Sequence, residues 1–122
     1  MPDHARRRLP QHHLPLTVPV FQILLSLADQ ELHGYAIIQD IRSRTDGEVE
    51  LTASTLYAAI RRLLDGGLIE EVDSRPGPED DDPRRRYYRL MPLGLAVARL
   101  EAARLERAVK MARQKKLVPR KT

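Results

Sequence analysis

Apolar residues recur every three or four positions in three stretches of the first half of the chain, a spacing that places them on one face of a helix. The first stretch follows Thr17, a good N-cap, and predicts about three helical turns. The second predicts a helix over residues 34–44, and the third a helix that starts after Thr52 or Ser54 and stops at Gly66-Gly67. The inward-facing residues are, in chain order, Val20, Phe21, Leu24, Leu27, Ala28, Ile37, Ile38, Ile41, Leu56, Ile60, Leu63 and Leu64.

Beyond residue 66 the helical spacing gives way to short runs of β-forming residues. Residues 68–72 and 85–90 predict two strands, and the Pro, Gly and acidic residues between them predict a hairpin loop of about ten residues. Residues 48–51 alternate between acidic and apolar positions and predict a further, very short strand. From residue 92 to about residue 116, Ala, Leu, Glu, Arg and Lys dominate behind an initial Pro, which predicts one long helix.

The order of these elements defines the predicted fold class. It is mainly α with a small β-hairpin (α+β), a winged helix-turn-helix followed by a long C-terminal dimerisation helix. We expect the winged helix-turn-helix to span residues 17–91 and the dimerisation helix residues 92–116. Residues 1–16 predict a flexible basic arm, because they hold Pro, Arg and His without a helical or strand period, and residues 117–122 a basic tail.

The composition fits one soluble domain whose positive charge lies towards both ends. The chain has 122 residues, 42% of them hydrophobic, and a formal net charge of +4. Residues 17–91 contain nine basic and fourteen acidic residues, so a DNA-binding surface there must come from local clustering of charge. Because cysteine is absent and no run of about 18 apolar residues occurs, we expect a cytoplasmic protein without a membrane partner.

Three motifs, in this order and at this spacing, resemble the PadR family of bacterial transcriptional regulators. They are HGYAIIQDI at residues 33–41, TASTLYAAIRRLLDGGLIEE at 52–71 and RRYYRLMPLG at 85–94. The resemblance implies a winged helix-turn-helix, DNA recognition by the helix that holds STLY, dimerisation through the C-terminal helix, and repression of transcription. The chain departs from the family pattern in three ways: Met91 stands where a Thr would cap the last helix, the wing tip at residues 79–82 is acidic, and the C-terminal helix is short.

The third predicted helix presents a polar face that suits the major groove. Short side chains allow close approach to DNA, and two consecutive Arg residues can donate to guanine or bridge phosphates. The alternative interpretation is an ordinary solvated helix face. The predicted DNA-binding residues are Ser54, Thr55, Tyr57, Ala58, Arg61 and Arg62 on this helix, Tyr35 on the second helix, and Arg84, Arg85 and Arg86 on the wing.

Several members of that set allow a second interpretation. Tyr35 and Tyr57 could reach a backbone phosphate or pack half-buried between helices. Arg84, Arg85 and Arg86 could contact phosphate or the minor groove, or pair with the acidic wing tip. The three consecutive arginines of the N-terminal arm could enter a neighbouring groove or serve only to solubilise the tail.

The long helix carries two apolar stripes in its first half. Leu93, Val97 and Leu100 form one stripe, which we expect to pack on the helix's own domain. The second stripe continues past the reach of a core this small, and a two-fold mate would cover it. The predicted dimerisation residues are Leu95, Ala98, Ala102, Leu105, Val109 and Ala112. The alternative is a helix packed wholly on its own monomer.

The sequence contains no nucleophile elbow, phosphate-binding loop or pair of catalytic carboxylates, so we expect no enzymatic activity and no cofactor. Its four His residues lack the spacing of metal ligands, so we expect no metal site. The expected partners are double-stranded DNA and a second copy of the chain, and no residue specifies a small-molecule effector. The alternative function is a winged-helix protein-interaction module whose acidic middle binds a basic partner and no specific DNA.

Overall fold

The computed structural model describes residues 9–72 and 86–119. In chain order its elements are a 3₁₀ turn Pro10–His13, α1 Val18–Ser26, β1 Leu32–His33, α2 Gly34–Arg44, α3 Ala53–Asp65, β2 Ile69–Val72, β3 Tyr87–Leu90 and α4 Pro92–Gln114. The predicted fold class is therefore confirmed: the chain is mainly helical, with a small antiparallel sheet and a long C-terminal helix.

Polar side chains start the first three α-helices. In each case the side chain of the preceding residue accepts a hydrogen bond from a backbone N–H three positions further on, which satisfies one donor of the first turn. These capping residues are Thr17 at 3.3 Å, His33 at 3.2 Å and Thr52 at 3.1 Å. Met91 holds the same position before α4, where Pro92 fixes the first helical φ.

β3 lies at the centre of the sheet and pairs antiparallel with both other strands. Leu32 of β1 faces Tyr88, and Ile69 of β2 faces Leu90. Since β1 leads directly into α2, the sheet joins the wing to the first helix of the helix-turn-helix. The rings of His33 and Tyr87 meet edge to face across this junction, with centroids 5.4 Å apart.

One hydrophobic core connects the helices to the sheet. All four α-helices and the strands β2 and β3 contribute to it, so α3 is held in place by neighbours on every inward side. Its buried residues are Ile23, Leu24, Leu27, Ile37, Ile41, Leu56, Ala59, Ile60, Leu63, Leu68, Ile69, Tyr88 and Val97.

Residues 48–51 lie in a loop, so the strand predicted there is wrong, and β1 is the third strand of the sheet. The Thr45 hydroxyl donates to the Ile41 carbonyl at 2.8 Å and accepts from the Val49 N–H at 3.0 Å, which turns the chain after α2. Val49 then packs against the core from the loop. β1 has only two residues, which is too short for an alternating pattern to be recognised in the sequence.

Residues 9–16 fold onto the molecule, which corrects the prediction of a flexible arm for this part. Leu14 and Leu16 pack against the core, and the Leu16 N–H donates a 2.9 Å hydrogen bond to Glu101 in α4. The partner lies 85 positions away, so no local period in the sequence could indicate the contact. Residues 1–8, with the three arginines, lie outside the described residues.

Candidate nucleic-acid interface

α3 has a buried face and an exposed face along its length. Leu56, Ala59, Ile60 and Leu63 fill the inward arc. Leu64, which the sequence places inward, lies at the edge of this arc and is 36% exposed. The remaining surface forms one continuous arc of exposed side chains. It includes all six predicted DNA-binding residues of this helix: Ser54, Thr55, Tyr57, Ala58, Arg61 and Arg62.

Three hydroxyl groups meet at the N-terminal end of this arc. The Thr52 side chain accepts from the Thr55 N–H at 3.1 Å and lies 3.0 Å from the Thr55 hydroxyl and 3.2 Å from the Ser54 hydroxyl. A hydroxyl can donate one hydrogen bond and accept two, so the cluster can still donate and accept towards solvent. Local capping thus holds three hydroxyl groups together at the exposed beginning of α3.

The Tyr57 ring lies across the beginning of α2. A Cβ atom added at Gly34 would overlap the Tyr57 hydroxyl, so the glycine permits this close approach of the two helices. The Tyr57 side chain nevertheless remains 39% exposed, and the neighbouring Tyr35 is 63% exposed. Tyr57 therefore packs between the helices, as one interpretation of the sequence had it, and both tyrosines also reach the surface.

Two wing arginines form ion pairs with carboxylates in or next to the neighbouring strands. Arg86 lies 3.3 Å from Glu71 across the β2–β3 ladder, and Arg89 pairs with Glu70 and, at 3.8 Å, with Glu31. Exposed pairs of this kind contribute only about 0–1 kcal/mol, so they can exchange partners when a phosphate approaches. Arg84, Arg85 and the acidic tip lie outside the described residues.

α4 packs on the domain through the first half of its length. Val97 is fully buried, Leu93 and Ala98 pack against the core, and a Cβ at Gly94 would overlap the Leu68 carbonyl. Two predictions are corrected here. Leu100 was expected on the inward face but is exposed. Ala98 was expected to contact a second chain but packs against the core of its own chain. The inward arc is centred on Val97, and Leu100 lies at its edge while Ala98 still reaches it.

The second half of α4 extends beyond the domain. Leu105 is 38% exposed and Val109 is 40% exposed, although both are apolar. Ala102 is also exposed, whereas Leu95 and Ala112 are half-buried. These five predicted dimerisation residues follow one side of the helix at spacings of three, four and seven, so they share a face that the monomer leaves largely uncovered.

Sequence reasoning missed Glu101, a carboxylate on the inward face of α4 whose side chain is 2% exposed. It accepts hydrogen bonds from the Leu16 N–H at 2.9 Å and from the Arg104 guanidinium at 2.5 and 3.1 Å. The Arg104 hydrogen bonds hold the pKa of the Glu101 carboxyl below its ordinary value, against the opposing effect of burial. The sequence did contain a signal for this buried carboxylate, because Glu101 lies four residues after Val97 and therefore on the same apolar face of the helix.

Within residues 9–72 and 86–119, His, Asp and Glu side chains form no group of three that could hold a metal ion. Over the same part of the chain, none of the helices combines the length and the apolar character needed to span a membrane.

Comparisons with known proteins identify the family of this chain. The sequence profile of the transcriptional regulator PadR-like family matches residues 23–100. The chain belongs to this family. An uncharacterized protein of Lysinibacillus sphaericus is 35% identical to this PadR-like chain over 74 residues, a match that covers 61% of this chain and 65% of that relative, just under two thirds of its length.

Solved structures share the fold of the PadR-like chain. A transcriptional regulator from Clostridium thermocellum is 27% identical, with a TM-score of 0.66 over 79% of this chain and 87% of the other. A PadR family regulator from Clostridium difficile is 23% identical, with a TM-score of 0.68 over 80% and 97% of the two chains. Bacillus subtilis PadR, solved in complex with operator DNA, is 22% identical, with a TM-score of 0.58 over 75% and 48%.

Family membership confirms the resemblance in the three motifs and places the chain among the PadR-like transcriptional regulators. The matched residues 23–100 run from α1 through the hairpin into the first half of α4, so they include the whole of α3 and its exposed arc.

Proposed function

We propose that this PadR-like chain represses transcription by binding a specific, roughly palindromic operator in double-stranded DNA as a homodimer. The exposed arc of α3 carries the proposal, because it places short side chains, hydroxyls and two arginines together on a helix whose other face is fixed in the core. The Bacillus subtilis relative with operator DNA supports it, since that protein uses the same fold.

The chemistry of the arc suits readout of base edges. Ser54 and Ala58 are short enough to let the helix axis approach the floor of the major groove. Arg61 and Arg62 can each donate to guanine O6 and N7 or to a phosphate. Tyr35 and Tyr57, beside the arc, have hydroxyls that suit phosphate contacts and would fix the register of the helix.

Three consecutive arginines before β3 are further candidates for contact with DNA. Arg84, Arg85 and Arg86 would contact phosphate or the minor groove, and Arg86 would leave Glu71 to do so. Because such exchange replaces a weak exposed ion pair by a contact with the dense negative charge of DNA, the pairing of Arg86 does not oppose binding strongly.

The uncovered side of α4 would join two chains. A two-fold mate would cover Leu95, Ala102, Leu105, Val109 and Ala112 with the same face of its own helix. Two recognition helices held about 34 Å apart would then enter successive major grooves on one side of the duplex, which requires a palindromic site. Occupation of such a site in a promoter blocks access of the polymerase, which accounts for repression.

The test is a fluorescence-anisotropy titration of the full chain with labelled fragments of the region upstream of its gene. A scrambled duplex serves as the control, and each titration is run at about 50 and 200 mM salt, between which phosphate-binding proteins lose about 10³–10⁵-fold in affinity. We expect one fragment to bind tightly, to saturate at two chains per site and to respond to salt. A promoter–reporter assay with that fragment would show whether binding lowers expression.

Equal, weak binding to all duplexes at low salt would contradict a specific operator. It would favour the alternative of a protein-interaction module. The ion pairs of the wing are the observation behind that alternative, because they leave the described part of the wing without a strong positive surface. They join Arg86 to Glu71, and Arg89 to Glu70 and Glu31.

A further inference from the structure

Glu101 is the one charged side chain that is buried within residues 9–72 and 86–119. It lies in the middle of α4, one turn beyond the fully buried Val97. Its carboxylate accepts one hydrogen bond from the Leu16 N–H, at 2.9 Å, and two from the guanidinium of Arg104 on the next turn. The carboxylate therefore attaches the N-terminal segment, residues 9–16, to the long helix.

This attachment gives α4 a second point of contact with the rest of the chain. The first is at the beginning of the helix, where Gly94 lies against the Leu68 carbonyl and Val97 enters the core. The second is formed by the N-terminal segment, whose 3₁₀ turn Pro10–His13 contacts α4 and whose last residue bonds to Glu101. Two points of contact along a rod fix its direction, whereas one leaves it free to tilt.

The length of α4 makes its direction important. At a rise of 1.5 Å per residue the helix extends about 30 Å from Gly94 to Gln114, so a tilt of about 10° would displace its far end by about 5 Å. Glu101 lies about 10 Å along this distance, far enough from the first contact for a bond there to oppose the tilt. The part of α4 beyond it carries the uncovered apolar side.

A buried carboxylate suits this task better than an apolar side chain. Contact between apolar surfaces has no preferred direction, whereas a hydrogen bond weakens steeply when its angle departs from linear. A buried charge must also keep its partners, because an unpaired one is strongly destabilising. Small tilts of α4 would thus be opposed at Glu101 by the loss of charged hydrogen bonds.

The attachment is additional to the elements that define the family. The family profile matches residues 23–100, and the three residues that form the attachment, Leu16, Glu101 and Arg104, all lie outside this range. Membership of the family therefore does not account for the attachment, and its role has to be inferred from its geometry in this chain.

We propose that Glu101 is a positioning residue: it fixes the angle between α4 and α3, and with it the separation of the two half-sites that a dimer binds. The second part rests on the proposed function, because it needs pairing through α4 and DNA contact through α3. One helical turn of DNA is about 34 Å over about 10 base pairs, so one base pair shifts a half-site by about 3.4 Å. A displacement of about 5 Å at the end of α4 is of the same size. A fixed angle limits binding to one half-site separation, whereas a variable angle accepts several.

The first experiment measures the angle without DNA. Because the chain contains no cysteine, two introduced cysteines can carry spin labels without background. Arg61→Cys on the arc of α3 and Lys110→Cys on α4 are both at exposed positions. Dilution with an excess of unlabelled chain restricts the distances measured by pulsed electron paramagnetic resonance to pairs within one chain.

We expect one narrow distance distribution for the labelled chain. Glu101→Ala should broaden it by about 4 Å, the displacement of residue 110 for a tilt of about 10°. Glu106→Ala, on the exposed side of the same helix, is the control and should leave the width unchanged. An equally narrow distribution in Glu101→Ala would overturn the positioning role.

A second pair of variants breaks the same hydrogen bond from its donor. Leu16→Pro and Leu16→Ala both lose the leucine side chain, but only proline also lacks the N–H. We expect a broader distribution in Leu16→Pro than in Leu16→Ala, and equal widths would count against the hydrogen bond as the cause. Circular dichroism verifies that each variant is folded. Since Leu16 lies outside the four α-helices, this pair keeps the test decisive if Glu101→Ala is not folded.

The link to DNA is tested with the bound upstream fragment and with two derivatives, in which one base pair is inserted or removed between the half-sites. The unsubstituted chain should lose at least the affinity that one mismatched base pair costs, about tenfold. We expect most of this discrimination to disappear in Glu101→Ala and to persist in Glu106→Ala. A loss of stability alone would weaken binding to all three duplexes equally, so the ratio of affinities separates positioning from stability.

Unchanged discrimination in Glu101→Ala would refute the role of Glu101 in half-site separation. Failure of the unsubstituted chain to bind any duplex, or to dimerise, would instead count against the proposed function. The distances within one chain would still decide in that case whether Glu101 fixes the direction of α4.

Discussion

Arg61 and Arg62 are consecutive on the exposed arc of α3 but face different surroundings. Arg62 also lines a cleft beside the N-terminal segment, together with His13 and Leu16, whereas Arg61 belongs to the arc alone. Neither side chain is buried, so removing either guanidinium leaves the core intact. The effect of substituting them on DNA binding can therefore be measured without a confounding loss of stability.

Arg61→Ala is expected to weaken binding to the operator by about 1–3 kcal/mol if the guanidinium reads a base. The loss should be confined to one base position of the site, which a panel of single-base variants of the duplex would reveal. Arg107→Ala, at an exposed position of α4, is the control for removing a positive charge. Unchanged operator affinity in both Arg61→Ala and Arg62→Ala would remove this helix from recognition.

Glu101 stabilises the attachment of the N-terminal segment in a way that depends on pH. Its pKa in the folded protein lies below its ordinary value of 4.5 because Arg104 and the Leu16 N–H favour the ionised form. A group with a lowered folded pKa adds stability above its unfolded pKa and loses it as the pH falls through the folded pKa. The contribution is thus complete at neutral pH and declines below about pH 4.5.

Glu101→Gln is expected to lower the free energy of unfolding at pH 7 by about 1–3 kcal/mol, since the amide weakens charged hydrogen bonds in a buried position. The difference from the unsubstituted chain should narrow as the pH is lowered below 4.5. Urea unfolding over this pH range measures it, with Glu106→Gln on the exposed side of the same helix as the control. A difference that stays constant with pH would show that the charge of Glu101 contributes nothing.

At the scale of elements, the beginning of α3 serves stability and recognition together. Thr52 caps the helix and holds the hydroxyls of Ser54 and Thr55 close by. The same side chain therefore satisfies a backbone donor and orders the end of the helix that enters the groove in the proposed complex.

Thr52→Ala is expected to destabilise the protein by about 1 kcal/mol through loss of the cap. Thermal unfolding followed by circular dichroism would record a lower Tm. Thr52→Ser keeps a hydroxyl at the same place and should retain most of the stability that Thr52→Ala loses. If alanine and serine behaved alike, the capping hydrogen bond would not be the cause.

At the scale of the whole molecule, the uncovered side of α4 is the feature that most requires a partner. Apolar side chains continue along it past the end of the core, and contiguous apolar surface of this kind in a monomer usually marks an interface. Met111 is exposed on a different side of the same helix, so exposure alone does not define the predicted stripe.

Leu105→Glu is expected to convert a dimer into monomers, because a two-fold axis would bring the new carboxylate and its copy into one apolar interface. Light scattering on a size-exclusion column gives the mass directly. Met111→Glu adds the same charge off the stripe and should remain dimeric. A chain that is monomeric without any substitution would contradict the dimer, and operator binding by single chains would then be expected.

The sequence predicted the elements that carry their own period. The four α-helices, the two strands of the hairpin and the cap at Thr17 all depend on residues within a few positions of one another, so they were predicted close to their observed bounds. The exposed arc of α3 follows from the same helical period, and its residues lie together on the surface as expected. Which of them contact DNA remains a prediction.

What only the tertiary structure decided depends on contacts between distant parts of the chain. The pairing of β1 with β3, the packing of Tyr57 over Gly34 and the hydrogen bond from Leu16 to Glu101 each join residues far apart in sequence. Local propensity and periodicity act over a few residues and determine each helix and strand. The free energy that selects among arrangements of those elements comes from burial and from hydrogen bonds formed only after collapse, which no local pattern records.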